Sequence, residues 1–201
     1  MRVLVPFGAR DPNSRLAPVL TADERRDFAV AMCRDVLDAL GAHDPELLVD
    51  APVDVGLDVP VTVDERPLGA AVDAQLEAGV PVTVVMADLP LLTADVVDRL
   101  LAPDADLVFG PGRGGGTNAV VVRHPEFRTD YHGASIRDHR AIARELGASV
   151  AEVDSFRLAT DVDEPADLAE VLLHGDGAAA DWLADAGVEL RIQDGRVGIE
   201  R

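Results

Sequence analysis

Short apolar runs alternate along the chain with longer segments in which apolar residues recur every three to four positions. The runs are rich in Val and Leu, which is typical of strands in a parallel sheet, and the longer segments are typical of amphipathic helices that pack on such a sheet. We predict strands at 2–6, 46–50, 59–63, 82–87, near 106–109, 119–123 and near 149–153, and helices at 21–41, 68–78, 93–101, 134–146, 165–174 and 177–186.

This alternation predicts a single α/β domain, residues 1–201, with a mostly parallel sheet flanked by helices. A Thr21-x-x-Glu24 capping box supports the start of the first helix, and Gly147 supports the end of the helix at 134–146. Residues 188–201 form a short C-terminal extension. There, Asp194-Gly195 between two β-rich runs predicts a hairpin with a type I′ turn.

A carboxylate follows the most apolar of the predicted strands. Residues 82–87 form a β-branched run that we expect to be buried on both faces, and it leads into Asp88. Because ligands bind at the carboxyl ends of strands in open α/β sheets, Asp88 stands where a functional carboxylate is expected. The alternative is that Asp88 only caps the following turn.

Two further carboxylates lie in the run ATDVDEPADL. Asp161 and Asp163 are two positions apart, just before a helix that Pro165 can begin. In an extended segment residues i and i+2 point to the same side, so both carboxylates face one point. Mg²⁺ binds through few carboxylates together with substrate phosphates. We therefore predict a Mg²⁺ site formed by Asp88, Asp161 and Asp163; an acidic helix N-terminus is the alternative for the pair.

Two loops carry the remaining candidate chemistry. The first follows the first strand and places Arg10 and Arg15 where guanidinium groups can bind phosphate oxygens. The second, residues 109–119, contains five glycines that let backbone N–H groups approach an anion, and Thr117 and Asn118 add side-chain donors. A solvated surface loop and a flexible hairpin are the alternatives.

The charge of the chain is strongly negative, with 37 acidic residues against 18 basic ones and a formal net charge of −19. The acids are spread along the whole length, so like-charge repulsion opposes folding at low ionic strength. Nucleic-acid binding would need a basic face and is not expected. The five histidines, among them His139, show no zinc-site spacing. With no signal-peptide pattern and no membrane-length apolar stretch, we expect a cytoplasmic protein.

Five segments resemble the archaeal 2-phospho-L-lactate guanylyltransferases of coenzyme F420 biosynthesis. They are PFGARDPNSRLAPVLTADER, VVMADLPLLTADVV, FGPGRGGGTNAVVVR, DYHGASIRDH and DSFRLATDVDEPADLAEVLLHG, of which GRGGGTN and ATDVDEPADL are the most specific. The resemblance implies a Rossmann-like nucleotidyltransferase fold. It also implies that a phosphate oxygen of 2-phospho-L-lactate attacks the α-phosphorus of GTP, which gives lactyl-2-diphospho-5′-guanosine and pyrophosphate. We also expect a homodimer, and the acidic composition resembles that of proteins from salt-accumulating haloarchaea.

The resemblance assigns roles to individual positions. It places the catalytic metal carboxylates on Asp88, Asp161 and Asp163, and the contacts to the phosphorylated acid on Thr117, Gly133 and Ser135. It places the phosphate-facing arginine, also catalytic, on Arg15. Beside these positions we expect Asn118 to contact the acid, and Arg10 and Gly69 to contact the nucleotide together with Arg15. Many family members carry Lys in the first loop where this chain has Gly8 and Asn13. We expect the two arginines of that loop to compensate.

Two other functions fit parts of this pattern. One is a nucleotidyltransferase of different specificity, using phosphoenolpyruvate, a phosphoglycerate, a molybdopterin or a sugar phosphate as acceptor. The other is a nucleotide-binding module without catalytic activity. The presence of the three carboxylates Asp88, Asp161 and Asp163 favours an enzyme, because a binding module needs no metal ligands.

Overall fold

The computed structural model describes residues 1–193 and 195–201 and has the predicted α/β architecture. The strands are β1 (Arg2–Phe7), β2 (Pro45–Val49), β3 (Val61–Val63), β4 (Val82–Val85), β5 (Leu107–Pro111), β6 (Thr117–Val122), β7 (Val150–Glu152), β8 (Glu189–Gln193) and β9 (Arg196–Glu200). The helices are α1 (Ala22–Ala39), α2 (Leu68–Glu77), α3 (Ala94–Leu101), α4 (Ser135–Leu146), α5 (Phe156–Ala159), α6 (Leu168–His174) and α7 (Ala178–Asp185), and short 3₁₀ helices lie at Ser14–Leu16, Gly41–His43 and Pro165–Asp167.

Seven strands form one sheet in the order β3-β2-β1-β4-β6-β5-β7. The pairs β2–β3, β1–β2, β1–β4 and β5–β7 are parallel, whereas β6 runs antiparallel to both of its neighbours, β4 and β5. The prediction of a mostly parallel sheet is therefore confirmed. The reversed direction of β6 places its first residues at the edge where β1, β2 and β4 end.

Alternate residues of the strands pack on opposite faces of the sheet. On one face, Val3 and Val5 of β1 pack in a core with residues of α1 and α3. On the other face, Leu4 packs in a second core with residues of α2 and α4. The sheet is thus the middle of three layers. A third apolar cluster joins α1 to α6 and α7, and Val188 belongs to it.

Several local predictions are confirmed. The capping box is present, because Thr21 Oγ1 accepts from the N–H of Glu24 and the N–H of Thr21 donates to Glu24 Oε2 at 2.8 Å. Helix α4 ends at Gly147, which has a φ of 68°. Strands β8 and β9 pair as the predicted hairpin, while Asp194 of its predicted turn lies outside the described residues.

One predicted helix differs from the structure, and one helix of the structure was not predicted. The helix predicted at 165–174 is divided into the 3₁₀ turn at Pro165–Asp167 and α6. Asp167 Oδ2 accepts the N–H groups of Asp163 at 3.2 Å and Glu164 at 2.8 Å, which fixes the entry to this turn. Helix α5 has four residues and was not predicted, because so short a segment carries no readable periodicity. Among the described residues no helix has the length and apolar character needed to cross a membrane.

Candidate functional site

A cavity of about 600 Å³ opens at the carboxyl edge of β1, β2 and β4. Its walls come from the segments that follow these strands and β3. They include Arg10 and Asn13 after β1, Asp50 after β2, Asp64 to Leu68 after β3, Asp88 after β4 and, from the distant acidic run, Asp163. This is the position in which open α/β sheets bind their ligands. The edge predicted from the strand pattern is therefore the edge that holds the cavity.

Asp88 lies at this edge with one enclosed oxygen. Its Oδ1 is inaccessible to solvent and has no hydrogen-bond partner within the described part of the chain. Burial, followed by the negative charges of Asp163 and Asp161, raises the pKa of Asp88 to about 7. A backbone bond from the N–H of Val162 to the carbonyl of Asp88, at 3.0 Å, holds the two acidic segments together. The structure thus places Asp88 in the electric field of the other two carboxylates.

Asp161 and Asp163 flank a fully buried residue, Val162, which belongs to the third core cluster. Because the side chain of Val162 points into the core, the two carboxylates point away from it. Asp161 Oδ1 accepts from Asn118 Nδ2 at 3.1 Å, and Asp163 Oδ2 accepts from an Nη of Arg15 at 2.9 Å. Burial raises the pKa of Asp163, although Arg15 opposes the shift.

The three carboxylates do not form a preassembled metal cluster. Among the described residues, no group of three or more His, Cys, Asp or Glu side chains is close enough to hold a metal ion. The partners of Asp161 and Asp163 explain part of this arrangement, because each carboxylate is turned toward a side-chain donor. The enclosed, unpartnered Oδ1 of Asp88 nevertheless suits a cation, since an ionised carboxylate without a partner is costly to bury. The Mg²⁺ site stays a prediction.

Both arginines of the first loop are ion-paired. Arg10 lines the cavity and lies 3.0 Å from Glu65, and Arg15 pairs with Asp163 as described. Arg10, Glu65 and Arg15 are largely exposed and Asp163 is partly buried, and ion pairs at the surface contribute only about 0–1 kcal/mol. They can therefore exchange their carboxylate partners for phosphate oxygens at small cost.

Asn13 of the first loop, where the resemblance led us to expect Lys, has a structural task. Its backbone has a φ of 49°, a left-handed conformation that Asn tolerates better than most residues. Its Nδ2 donates to the carbonyl of Val162 at 3.0 Å. Asn13 thus ties the first loop to the acidic segment that carries Asp161 and Asp163.

A second group of polar side chains lies at the start of β6. The N–H of Thr117 donates to Ser135 Oγ at 3.0 Å, and Thr117 Oγ1 lies 2.8 Å from Nδ1 of His139. All three side chains are buried. Gly133, with a φ of 51°, precedes α4 in an exposed turn. The structure therefore brings Thr117 and Ser135 together as predicted, and it adds His139, which the sequence analysis did not assign to a site.

Asn118 joins this polar group to the acidic segment. Its Nδ2 donates to the carbonyl of Leu158 at 3.0 Å as well as to Asp161. A Cβ on Gly112 would overlap the side-chain amide of Asn118, so only glycine fits there. Asn118 is thus a structural link whose predicted contact with substrate is untested.

The arginine of the glycine-rich loop is turned toward an acidic surface. The guanidinium group of Arg113 lies 3.3 Å from Asp167 and 3.6 Å from Glu170, and the backbone N–H of Arg113 donates to the carbonyl of Ala159.

Gly69, predicted to contact the nucleotide, is the second residue of α2, and its carbonyl accepts from Thr129 Oγ1 at 3.4 Å. The cavity wall includes its neighbours Leu68 and Ala71 but not Gly69 itself.

Solved structures share this architecture. A nucleotidyl transferase from a Methanothermobacter species matches with a TM-score of 0.58 and 12% identity over 92% of this chain and 99% of its own. A 2-C-methyl-D-erythritol 4-phosphate cytidylyltransferase from Thermus thermophilus matches with a TM-score of 0.53 and 20% identity over 90% of this chain and 98% of its own. At these identities the likeness concerns the fold alone. The fold is thus one that this chain shares with nucleotidyl transferases.

The sequence comparisons identify the family within this class. The profile of the family described as "Guanylyl transferase CofC like" matches residues 1–199. The 2-phospho-L-lactate guanylyltransferase of Halomicrobium mukohataei is 63% identical over 100% of both chains. That of Haloferax volcanii is 63% identical over 98% of this chain and 97% of its own. The chain belongs to the CofC-like guanylyl transferase family.

Proposed function

We propose that this chain is a 2-phospho-L-lactate guanylyltransferase that uses GTP. The observation that carries the proposal is that the cavity and the polar group at the start of β6 both adjoin the acidic segment at one edge of the sheet. Asp163 lines the large cavity, while Asp161, two residues before it, is bonded to Asn118 beside Thr117. A nucleotide in the cavity and an acid near Thr117 would therefore meet at the acidic segment.

The cavity supports the nucleotide half of the proposal. Its volume of about 600 Å³ lies within the range of small-molecule sites. Arg10 stands on its wall, and Arg15 stands beside Asp163. Guanidinium forks bind phosphate oxygens through two parallel hydrogen bonds. We infer that these side chains leave Glu65 and Asp163 for the triphosphate when GTP binds.

The polar group at the start of β6 supports the acid half. Thr117 and Ser135 supply hydroxyl groups on a rigid strand end and a helix start, which is how enzymes hold a substrate in a reactive orientation. Gly133 lies two residues before Ser135 in a turn that any side chain would strain. We infer that the phosphate or carboxylate of 2-phospho-L-lactate binds these groups.

The chemistry requires the approach of two anions. In the reaction, an oxygen of the acid's phosphate forms a bond to the α-phosphorus of GTP, and the bond from that phosphorus to pyrophosphate breaks. The attacking phosphate is already ionised near neutral pH, since its second pKa is about 6, so no general base is needed. When bound, Mg²⁺ would neutralise part of the triphosphate charge. Asp88, Asp161 and Asp163 are the residues that would hold it.

A substrate matrix tests this proposal. Purified protein in molar KCl is incubated with each of the four NTPs and with 2-phospho-L-lactate, phosphoenolpyruvate or a phosphoglycerate, and pyrophosphate release and product mass are measured. We expect GTP with 2-phospho-L-lactate to give the highest kcat/KM. A pair that exceeds it by about tenfold or more would transfer the proposal to that pair. Gel filtration in the same buffer tests the homodimer, and cell fractionation tests the cytoplasmic location, which we also propose.

A further inference from the structure

The imidazole of His139 is held in one orientation by its surroundings. The ring is fully buried, and it contacts three aromatic rings. Phe109 stacks on it with a centroid distance of 6.1 Å, and Phe127 and Tyr131 present edge contacts at 5.6 and 5.1 Å. The chain has only seven aromatic side chains, so three of them surround one histidine.

The hydrogen bonds of His139 define which nitrogen carries the proton. Nε2 lies 2.8 Å from the backbone nitrogen of Asp130, and a backbone N–H can only donate. Nε2 must therefore accept, and a neutral imidazole then carries its proton on Nδ1. Burial lowers the pKa of His139 to about 4, so the ring is neutral at physiological pH. Nδ1–H consequently donates to Thr117 Oγ1 at 2.8 Å.

The hydroxyl of Thr117 is left with a hydrogen to donate. Its oxygen accepts from Nδ1 of His139 and lies 3.3 Å from Oγ of Ser135. A hydroxyl has one O–H donor besides its two acceptor lone pairs. Because Oγ1 accepts from Nδ1–H, the O–H hydrogen cannot point at the ring, and it is free to donate to Ser135 Oγ or to an oxygen of a bound ligand. The imidazole thus makes the hydroxyl a donor directed away from the ring.

We propose that His139 is a positioning residue for the phosphorylated acid, because it fixes the hydroxyl of Thr117 as a hydrogen-bond donor toward an oxygen of that substrate. The inference rests on the proposed function, in which Thr117 contacts 2-phospho-L-lactate. His139 itself does not contact the acid. Its contribution is to direct the proton of Thr117 away from the ring, so that it is available to the substrate.

Two substitutions separate the two hydrogen bonds of the ring. In His139→Gln the side-chain oxygen can replace Nε2 as acceptor for the N–H of Asp130, but the donor to Thr117 is lost. In His139→Asn the side-chain N–H₂ can replace Nδ1 as donor to Thr117, but the acceptor for Asp130 is lost. Thr117→Val removes the hydroxyl at nearly constant volume. Together these variants distinguish positioning from packing, because both replacements of His139 remove the aromatic contacts.

Steady-state kinetics in molar KCl provide the main readout. We expect His139→Gln and Thr117→Val each to raise the KM for 2-phospho-L-lactate by about tenfold, with the KM for GTP changed less than about twofold. His139→Asn should stay within about threefold of the wild type in the KM for the acid, even if its Tm falls. The double variant Thr117→Val/His139→Gln should be no worse than Thr117→Val, because the two residues act through one hydroxyl.

Equal effects of His139→Gln and His139→Asn on the KM for the acid would overturn the inference, as would lower Tm values with an unchanged KM. Calorimetric titration of the wild type and of His139→Gln with 2-phospho-L-lactate reports on the inference separately from turnover. If 2-phospho-L-lactate binds more weakly to His139→Gln than to the wild type, but the wild type does not condense the acid with GTP, the proposed function is contradicted. The inference that His139 positions Thr117 for the acid then still stands. A wild type that binds none of the acid would overturn both.

Discussion

Asp88 shows how a single residue can link burial to charge at this site. Its Oδ1 is enclosed without a partner among the described residues, and its pKa is raised to about 7 by burial and by the carboxylates of Asp163 and Asp161. Buried polar atoms without partners are rare and call for an explanation. The cation proposed above would account for this one, because it would stabilise all three carboxylates in their ionised form.

Replacing Asp161 or Asp163 by Asn should reduce kcat/KM by at least about a hundredfold, since each change removes one of the few protein charges available to a Mg²⁺ ion. Pyrophosphate release measures the effect. Glu164→Gln is the matched control, because it removes a charge from the same run at an exposed position. An Asp161 or Asp163 variant within about tenfold of the wild type would contradict the metal assignment, provided that its Tm is unchanged.

His139 should make folding sensitive to acid. Burial lowers its pKa to about 4 from 6.5, whereas the nearby Asp130, Asp138 and Asp73 oppose the shift. As the pH falls from about 6.5 to 4, His139 therefore becomes protonated in the unfolded chain and stays neutral in the folded chain. The contribution of neutral His139 to the free energy of unfolding is therefore complete above this pH range. It is lost as the pH falls through the range, by up to about 3 kcal/mol. Thermal melts should show the advantage of the wild type over His139→Gln shrinking from pH 7 to pH 4; a constant difference would contradict this.

Helix α7 illustrates an interaction at the scale of whole elements, because a side chain from another helix caps its first turn. Asp35 of α1 accepts the N–H groups of Ala178 at 2.6 Å and Ala179 at 2.9 Å. Gly177, the residue before α7, has no side chain for capping, and a Cβ there would overlap the carboxylate of Asp35. The cap thus joins two helices that are about 140 residues apart in the chain.

Asp35→Ala should lower the free energy of unfolding by about 1–3 kcal/mol, because two partly buried N–H groups lose their acceptor. Asp38→Ala on the exposed side of the same helix is the matched control, and it should change the free energy of unfolding by less than about 0.5 kcal/mol. Denaturant titration in molar KCl measures both. Equal losses in the two variants would show that the cap does not stabilise α7. Activity at saturating substrate should be unchanged, since neither residue lies at the cavity.

For the whole molecule, the net charge of −19 is the dominant property. Arginines are outnumbered by acidic residues two to one, and many already form surface ion pairs, such as Arg140 with Glu152 and Arg201 with Glu24. The remaining acids repel one another across the surface. Relatives at 60% identity or more include proteins of Halomicrobium, Haloarcula and Haloferax, which agrees with this composition.

The Tm and the activity should both rise as KCl increases from dilute buffer toward 1 M. The Debye length falls from about 10 Å at 0.1 M to about 3 Å at 1 M, which screens most pairs of neighbouring acids. A triple variant at exposed positions, Asp104→Asn/Asp176→Asn/Asp185→Asn, should melt higher than the wild type in dilute buffer and gain less from salt. Sucrose, which does not screen charge, is the solvent control. A wild-type Tm that is flat or falls with KCl would contradict the expectation.

The strands, the helices and the position of the acidic edge could be predicted from local patterns in the sequence. Buried strands such as Val82–Val85 were readable because an apolar β-branched run is a local signal. The Thr21–Glu24 capping box and the helix end at Gly147 were readable because each needs only neighbours within a few positions. Asp88 and the pair Asp161 and Asp163 were found because a strand end and an i, i+2 spacing are also local.

How these parts meet became visible in the folded chain alone. The antiparallel direction of β6 brings Thr117 to the edge where β4 ends, and neither strand shows this in its own residues. Arg15 is bonded to Asp163 across 148 positions, and His139 is bonded to Thr117 across 22. Such partners are selected by strand order and by the packing of α4 on the sheet. These depend on contacts between distant segments, for which a single sequence carries no local signal.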